Sequence, residues 1–253
     1  MKVVILAGGY GTRISEESAF KPKPMIEIGG MPILWHIMKG FSEQGFNEFV
    51  ICAGYKQHVI KEWFADYFLH TSDITFDFTK GNEMIVHNKH AEAWKVTVVD
   101  TGLNTMTGGR IKKIQDYIGN ESFIMTYGDA VGNVDIHKAH GKIGTISVYN
   151  FGQNKGVLDI AKDGKVNAFR EKSDLDGDLI NIGFMVMNPD IFKRIEGDNT
   201  VFEQEPLNSL VANNELIART HIGYWQCMDT LREKQQLEKL WSSGKAPWKT
   251  WED

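Results

Sequence analysis

The chain has 253 residues, of which 42% are hydrophobic, and its formal net charge at pH 7 is −5. This apolar share supports a full core, and the length suits one large α/β domain. The acidic balance, with Lys and Arg not gathered into a stripe, argues against a nucleic-acid surface. We recognise no signal peptide and no apolar run of membrane-spanning length, so we expect a cytoplasmic protein without a membrane role.

The first 25 residues carry the strongest functional signal. The apolar run Val3–Leu6 predicts a buried parallel strand, and it stops at the glycine-rich string AGGYGTR of residues 7–13. Glycines let the backbone turn sharply and bring free N–H groups close to a ligand. Arg13 and Lys23, the latter flanked by Pro22 and Pro24, add two positive charges. Together these residues predict a site for a polyphosphate.

Two better-known glycine loops do not fit this segment. The dinucleotide pattern G-x-G-x-x-G fails because Ile14 stands where the third glycine is required, and the P-loop pattern has no match. The predicted second strand, 49–52, also lacks the acidic residue that holds a dinucleotide ribose. A nicotinamide-dependent oxidoreductase is therefore disfavoured. An ordinary tight turn after a strand would leave Arg13 and Lys23 unexplained.

The rest of the first half alternates between predicted strands and helices. Helices are predicted at 32–44, at 56–68 and from about Gly108, and strands at 96–100 and 123–127, with a strand pair at 74–79 and 84–88. This order predicts an α/β fold with a Rossmann-like, mostly parallel mixed sheet that has helices on both faces.

A smaller, antiparallel part is predicted in the second half. Asp163-Gly164 is typical of a hairpin turn between 158–160 and 166–169. Strands at 179–187 and 217–224 and a closing helix at 231–241 follow. We see no linker or repeat, so residues 1–253 are predicted to form a single domain. Cys52 and Cys227 lie in apolar, strand-like segments and are expected to be buried free thiols.

Two aspartates follow predicted strands. Asp129 ends the string TYGD at 126–129, where ligands of open α/β sheets usually bind, and Asp229 follows a later apolar strand. Carboxylates in such places suit Mg²⁺, which takes oxygen ligands from one or two carboxylates and from substrate phosphates. Each aspartate could instead be a helix cap or a turn former.

Several strings together carry a family resemblance. They are LAGGYGTR at 6–13, KPKPMIEIGG at 21–30, DTGLNTMTGGR at 100–110, TYGD at 126–129, MDTLREK at 228–234 and KAPWKTWE at 245–252. The chain resembles the sugar-1-phosphate nucleotidyltransferases, and within them the glucose-1-phosphate cytidylyltransferases. The resemblance implies a nucleotide-diphospho-sugar transferase type of fold, CTP and a small phosphorylated acceptor as substrates, Mg²⁺ as cofactor and a homo-oligomer. It also implies a role in precursor synthesis for capsule or O-antigen polysaccharide.

The same resemblance assigns roles to residues. Residues 1–150 would mainly bind CTP, and residues 151–253 would mainly bind the acceptor and supply the C-terminal helix. Arg13, Lys23 and Asp129 would be catalytic, and Asp129 and Asp229 would hold the metal. The acceptor would be bound by Lys172, Asn181, Ile182 and Gly183. The nucleotide would be bound by Leu6, Ala7, Gly8, Gly9, Gly11, Thr12, Arg13, Lys23, Thr105, Gly109, Arg110 and Gly128.

Base selection is implied to lie in the segment 105–110, where Thr105, Gly109 and Arg110 would contact the base or ribose. An arginine donor could read the acceptor groups of cytosine. The segment could also simply begin a helix, with Thr107 as its N-cap.

The acceptor side departs from the relatives in three places. A longer helical segment of the relatives is missing before His137, residues 153–156 replace their Arg-Phe-Gly, and Ile182 replaces a glycine. A branched side chain at 182 could obstruct glucose, so we expect an acceptor other than glucose-1-phosphate as one possibility. The two alternatives are a different sugar-1-phosphate and a phosphorylated amino-acid derivative such as L-glutamine phosphate. Neutral drift could also explain these changes. A nucleotide-sensing domain without catalysis is the rival of another class.

Overall fold

The computed structural model describes residues 1–89, 91–136, 142–150, 157–161, 165–170 and 179–252. Up to residue 127 the elements are β1 (Val3–Ala7), α1 (Ser15–Ser18), β2 (Glu27–Ile28), β3 (Met31–Pro32), α2 (Ile33–Glu43), β4 (Glu48–Ala53), α3 (Gln57–Thr71), β5 (Ser72–Asp77), β6 (Glu83–Lys89), β7 (Lys95–Asp100), α4 (Thr107–Lys113), α5 (Gln115–Ile118) and β8 (Phe123–Tyr127). The later elements are β9 (Ala130–Gly132), β10 (Gly144–Asn150), β11 (Val157–Ile160), β12 (Val166–Arg170), β13 (Leu179–Met187), α6 (Glu205–Ala212), β14 (Leu216–Thr220), β15 (Trp225–Cys227) and α7 (Leu231–Ser242).

The main sheet has 7 strands in the order β14-β10-β13-β8-β1-β4-β7. The strand β1 pairs in parallel with both β4 and β8, and β4 pairs in parallel with β7. The strand β13 runs antiparallel to its neighbours β8 and β10. The predicted mostly parallel mixed sheet is therefore confirmed. Because β1, β4, β7 and β8 are parallel, their carboxyl ends meet at one edge of the sheet.

Apolar side chains alternate between the two faces of β1, as the pleat of a strand requires. Val3 and Ile5 belong to one hydrophobic cluster and pack on the α2 side, where Phe41 and Leu237 are also buried. Val4 and Leu6 belong to a second cluster on the α4 side. Helices thus cover both faces, as predicted. In the described part of the chain, every helix is too short or too polar to cross a membrane.

Most predicted elements are found close to their expected bounds. The helix α2 begins at Ile33 directly after Pro32, and α3 continues to Thr71, beyond the predicted end at 68. The predicted hairpin is present as the antiparallel pair β11–β12. Its predicted turn residues, Asp163 and Gly164, lie outside the described residues.

One strand prediction and one burial prediction were wrong. The stretch 217–224 is not a single strand, because β14 ends at Thr220 and the next strand, β15, pairs with β9 away from the main sheet. Both cysteines are free thiols, as expected, but only Cys52 is buried, whereas Cys227 is partly exposed. Burial raises the pKa of each thiol to about 12, so both stay protonated at neutral pH.

The tryptophan-rich tail packs on the core of its own chain. Trp248 is 1% exposed and stacks between Trp241 and Tyr224. Its indole N–H faces Nδ1 of His36 at 3.4 Å, while Nε2 of His36 lies 2.8 Å from the carbonyl oxygen of Ile28. With an indole donor at Nδ1, the proton of the neutral ring belongs on Nε2. Burial lowers the pKa of His36 to about 4.

This buried histidine predicts a pH dependence of stability. Between pH 6.5 and about 4 the unfolded chain binds a proton on His36 that the folded chain does not bind. The free energy of unfolding should therefore fall on acidification through this window, by up to about 3 kcal/mol from this residue. Urea denaturation at several pH values should show a smaller fall in the His36→Gln variant. Equal pH profiles for both proteins would contradict a neutral buried imidazole.

Candidate active site

A cleft of about 460 Å³ opens at the carboxyl edge of the main sheet, beside the ends of β1 and β8. It is lined by residues 6–13, 23–24, 103–107, 110 and 127–129. These segments contain every predicted nucleotide-binding residue except Gly109. The described acceptor candidates, Asn181, Ile182 and Gly183, do not line the cleft, and Lys172 lies outside the described residues.

Four predicted charged residues converge at one end of this cleft. Nζ of Lys23 lies 2.7 Å from Oδ2 of Asp129 and also contacts Oδ1 of Asp229. Nη1 of Arg13 lies 2.8 Å from Oδ2 of Asp229. Residues that are distant in the sequence, at positions 13, 23, 129 and 229, therefore share one charged cluster.

Lys23 is held in the cluster by its backbone and its charge partners. It begins a short 3-10 turn, Lys23–Met25, after the extended backbone of Pro22, and it is only 8% exposed. Burial by itself would lower the pKa of Lys23, but Asp129 and Asp229 outweigh burial and raise the pKa above its ordinary value. The side chain is therefore an ammonium ion throughout the neutral pH range.

The glycine loop requires glycine for two different reasons. Gly11 has a φ of 66°, a left-handed conformation that precedes the 3-10 turn Thr12–Ile14. Gly8 lies directly against Arg110, since a Cβ atom at Gly8 would stand 2.1 Å from Nη1 of that arginine. The glycines thus allow both the turn at Gly11 and the close approach of Arg110 to Gly8.

Arg110 holds the two walls of the cleft together. Its side chain is buried, with the residue only 5% exposed, and it donates hydrogen bonds to the carbonyl oxygens of Gly8 at 3.1 Å, Gly102 at 2.7 Å and Leu103 at 3.2 Å. It also donates to Oγ1 of Thr101 at 2.8 Å. Both terminal nitrogens are thus used by the protein. This geometry differs from the predicted base contact, in which an Arg110 donor reads the base.

Gly109 and Thr107 contribute to the contact between α4 and the segment that contains Asp198 and Glu203. A Cβ atom at Gly109 would stand 2.6 Å from Cα of Asp198, so the glycine allows close packing of α4 on the segment after residue 197. The helix α4 begins at Thr107 and has Met106 at its N-cap position, so the suggested Thr107 cap is wrong. The Thr107 hydroxyl instead donates to Oε2 of Glu203 at 2.6 Å.

Tyr127 separates the cleft from the strand with the predicted acceptor residues. Its hydroxyl donates to Oε1 of Glu203, and its ring lies against Gly183, where a Cβ atom would stand 2.3 Å from Cδ2 of the tyrosine. Ile182 points to the opposite face and lies in the hydrophobic cluster on the α2 side, 2% exposed. The expected obstruction of a sugar by Ile182 therefore does not fit the structure, because its strand turns this side chain into the core.

Two glutamates that were not predicted from the sequence support the cleft. Oε2 of Glu233 accepts hydrogen bonds from the backbone N–H groups of Asp229 at 2.7 Å and Thr230 at 2.8 Å. The spacing of Thr230 and Glu233 is a capping-box signature, so the sequence did contain this signal. No sequence pattern pointed to Glu203, because its partners Thr107 and Tyr127 are far away in the sequence.

The chain is similar to known proteins over almost its whole length. The family model described as Nucleotidyl transferase matches residues 2–253. The chain belongs to the nucleotidyl transferase family. This nucleotidyl transferase is 55% identical over 259 residues to a glucose-1-phosphate cytidylyltransferase of Salmonella typhimurium, covering 100% of both chains. It is 41% identical over 258 residues to a probable glucose-1-phosphate cytidylyltransferase of Bacillus subtilis, covering 99% of this chain and 100% of the relative.

Solved structures agree on the fold of the nucleotidyl transferase. HddC from Yersinia pseudotuberculosis aligns with a TM-score of 0.68 at 24% identity, covering 95% of this chain and 99% of HddC. This similarity confirms the predicted nucleotide-diphospho-sugar transferase type of α/β fold.

The contact between Tyr127 and Gly183 can be tested by a matched pair of substitutions. Gly183→Ala introduces a Cβ atom at a φ of 83° into the tyrosine ring, whereas Gly30→Ala introduces one at a φ of 79° with no atom within 4 Å. Both should lose about 1 kcal/mol through backbone strain. Gly183→Ala should lose about 1–3 kcal/mol more, because the ring must move. Urea denaturation measures both losses, and equal values would contradict the close contact.

Proposed function

We propose that this nucleotidyl transferase is a cytidylyltransferase that converts CTP and a sugar-1-phosphate, with glucose-1-phosphate as the favoured acceptor, into a CDP-sugar and pyrophosphate. The observation that carries the proposal is the charged cluster at one end of the cleft, in which Arg13, Lys23 and Asp129 line the cleft and Asp229 contacts both Arg13 and Lys23. The 55% identity to the Salmonella enzyme over the full length supports the choice of CTP and glucose-1-phosphate.

The proposed reaction needs no covalent enzyme intermediate. A phosphate oxygen of the sugar-1-phosphate attacks the α-phosphorus of CTP and forms a new P–O bond. The bond between the α-phosphorus and the oxygen that bridges to the β-phosphorus breaks, and pyrophosphate leaves with that bonding pair. Alignment of the two substrates and neutralisation of their charges supply the catalysis.

Different residues of the cleft would bind different parts of the two substrates. Residues 8–12 line the cleft, and the backbone N–H groups of this loop would hold the triphosphate. Arg13, whose side chain is 71% exposed, can turn toward the leaving pyrophosphate and bind it in a bidentate manner. Lys23 is buried beside both aspartates and would hold the α-phosphate region.

A divalent metal fits the donor set of this cluster. Asp129 and Asp229 present hard carboxylate oxygens that contact the same lysine ammonium group. The described residues contain no group of three or more His, Cys, Asp or Glu for a metal held by protein alone. Two carboxylates completed by substrate phosphates are the usual Mg²⁺ arrangement. When bound there, Mg²⁺ would neutralise phosphate charge and polarise the α-phosphate.

The acceptor is proposed to be glucose-1-phosphate because the structure removes the expected obstruction. The side chain of Ile182 lies in the core and not beside Tyr127, so it does not obstruct an acceptor there. The division of labour between residues 1–150 and 151–253, the homo-oligomer, the cytoplasmic location and the lack of a nucleic-acid partner stay predictions. A CDP-sugar product would suit precursor synthesis for capsule or O-antigen polysaccharide.

Pyrophosphate release tests the proposed function directly. The protein is incubated with Mg²⁺, CTP and a panel of acceptors that includes glucose-1-phosphate, other sugar-1-phosphates and L-glutamine phosphate. We expect the fastest release with glucose-1-phosphate, and loss of release when a chelator removes the metal. Faster release with L-glutamine phosphate would replace the acceptor. No release with any acceptor would favour a nucleotide-sensing domain without catalysis.

The role of Arg13 can be tested by a conservative change. Arg13→Lys keeps the charge but loses the bidentate geometry, so kcat should fall by about 100-fold. The matched control is Arg232→Lys, at an exposed position on α7 outside the cleft. Steady-state kinetics of pyrophosphate release measure both variants. A kcat for Arg13→Lys equal to that of the control would show that Arg13 does not act on the leaving group.

A further inference from the structure

The order of the strands gives the cleft a direction. The charged cluster lies near the end of β8, and the segment 103–107 follows β7, with β1 and β4 between these two strands. If the triphosphate lies on the cluster and the glycine loop, as the proposed function requires, the base must extend toward residues 103–107. The inference below rests on that proposed function.

Three polar side chains at this end of the cleft already have partners in the protein. The Arg110 guanidinium donates to backbone carbonyl groups. The Thr107 hydroxyl is bonded to Glu203 and to the backbone N–H of Phe202. Oγ1 of Thr105 accepts a hydrogen bond from Nζ of Lys113 at 3.2 Å. These side chains are therefore poorly placed to discriminate between bases.

Asn104 differs from these three residues because, in the described part of the chain, only the oxygen end of its side-chain amide has a hydrogen-bond partner. The hydroxyl of Tyr10 donates to Oδ1 of Asn104 at 2.8 Å across the mouth of the cleft. Tyr10 itself contacts the ring of Tyr55, with 5.3 Å between the centroids. Within the described residues, the Nδ2 group of Asn104 has no hydrogen-bond partner. The tyrosine thus fixes the orientation of the amide, with its donor end available to a ligand.

We propose that Asn104 is the residue that selects cytosine over uracil or thymine. A side chain held as a donor matches the Watson–Crick edge of cytosine, where both O2 and N3 are hydrogen-bond acceptors. Uracil and thymine carry a proton on N3, so the same donor meets another donor there. The wrong base leaves the polar group of such a site unpaired or places a second donor against it. The site therefore discriminates against that base.

Reversing the polarity of this residue is the sharpest test. Asn104→Asp keeps the shape but replaces the donor with an acceptor, so the ratio of kcat/KM for CTP to that for UTP should fall by at least about tenfold. Tyr10→Phe frees Oδ1 of Asn104 and should lower the ratio less. Asn199→Asp introduces the same charge at an exposed position outside the cleft and should leave the ratio unchanged. A ratio in Asn104→Asp equal to that of the control would overturn the proposal.

Equilibrium binding separates this inference from the proposed function. Calorimetry with Mg²⁺ and either CTP or UTP, without acceptor, measures base preference in the absence of turnover. We expect wild type to bind CTP more tightly than UTP and Asn104→Asp to lose that preference. Wild type with this preference but no pyrophosphate release would refute catalysis and leave the role of Asn104 standing. Wild type without the preference, or a preference unchanged in the variant, would overturn the role of Asn104.

Discussion

The cleft depends on the contact between the Lys23 ammonium group and two carboxylates. Asp129 follows β8 and Asp229 precedes α7, and their like charges would repel each other without the cation between them. Lys23 in turn tolerates burial only because both carboxylates are present. Loss of one member would leave an uncompensated charge in a partly buried place, which is costly. The turn around Pro22 and the hydrogen bond that the backbone N–H of Asp229 donates to Glu233 hold the partners in position.

Much of the fold was predictable because it depends on local patterns. The apolar run at the start of β1, the helical spacing of Ile33, Ile37 and Phe41, and the alternation of strands with helices all act over short distances. The stretch 217–224 was harder. Its chain leaves β14 at Thr220 and then pairs with β9 through Trp225–Cys227, and no local pattern marks that change of partner strand.

The candidate site, like the fold, was predictable from the sequence only in part. The glycine loop, Arg13, Lys23 and the two aspartates were predicted from motifs, and the structure places them together. The inward use of Arg110 was not predictable, because its acceptors are carbonyl groups that only the folded loops bring near. The direction of Ile182 depends on strand parity, since a shift of one residue would turn the side chain to the opposite face. Tyr10 and Asn104 meet only because β1 and β7 end at the same edge.

The buried Arg110 guanidinium has a consequence for how such a protein can change over time. One side chain binds the carbonyl groups of residues 8, 102 and 103, so it joins the two walls of the cleft into one frame. Side chains that stand on this frame, such as those of Tyr10 and Asn104, are exposed and support little of the hydrophobic core. With the role proposed for Asn104, substrate preference can drift at these outward positions while the frame stays intact. Residues that maintain the fold and residues that are free to vary thus lie side by side in the same cleft.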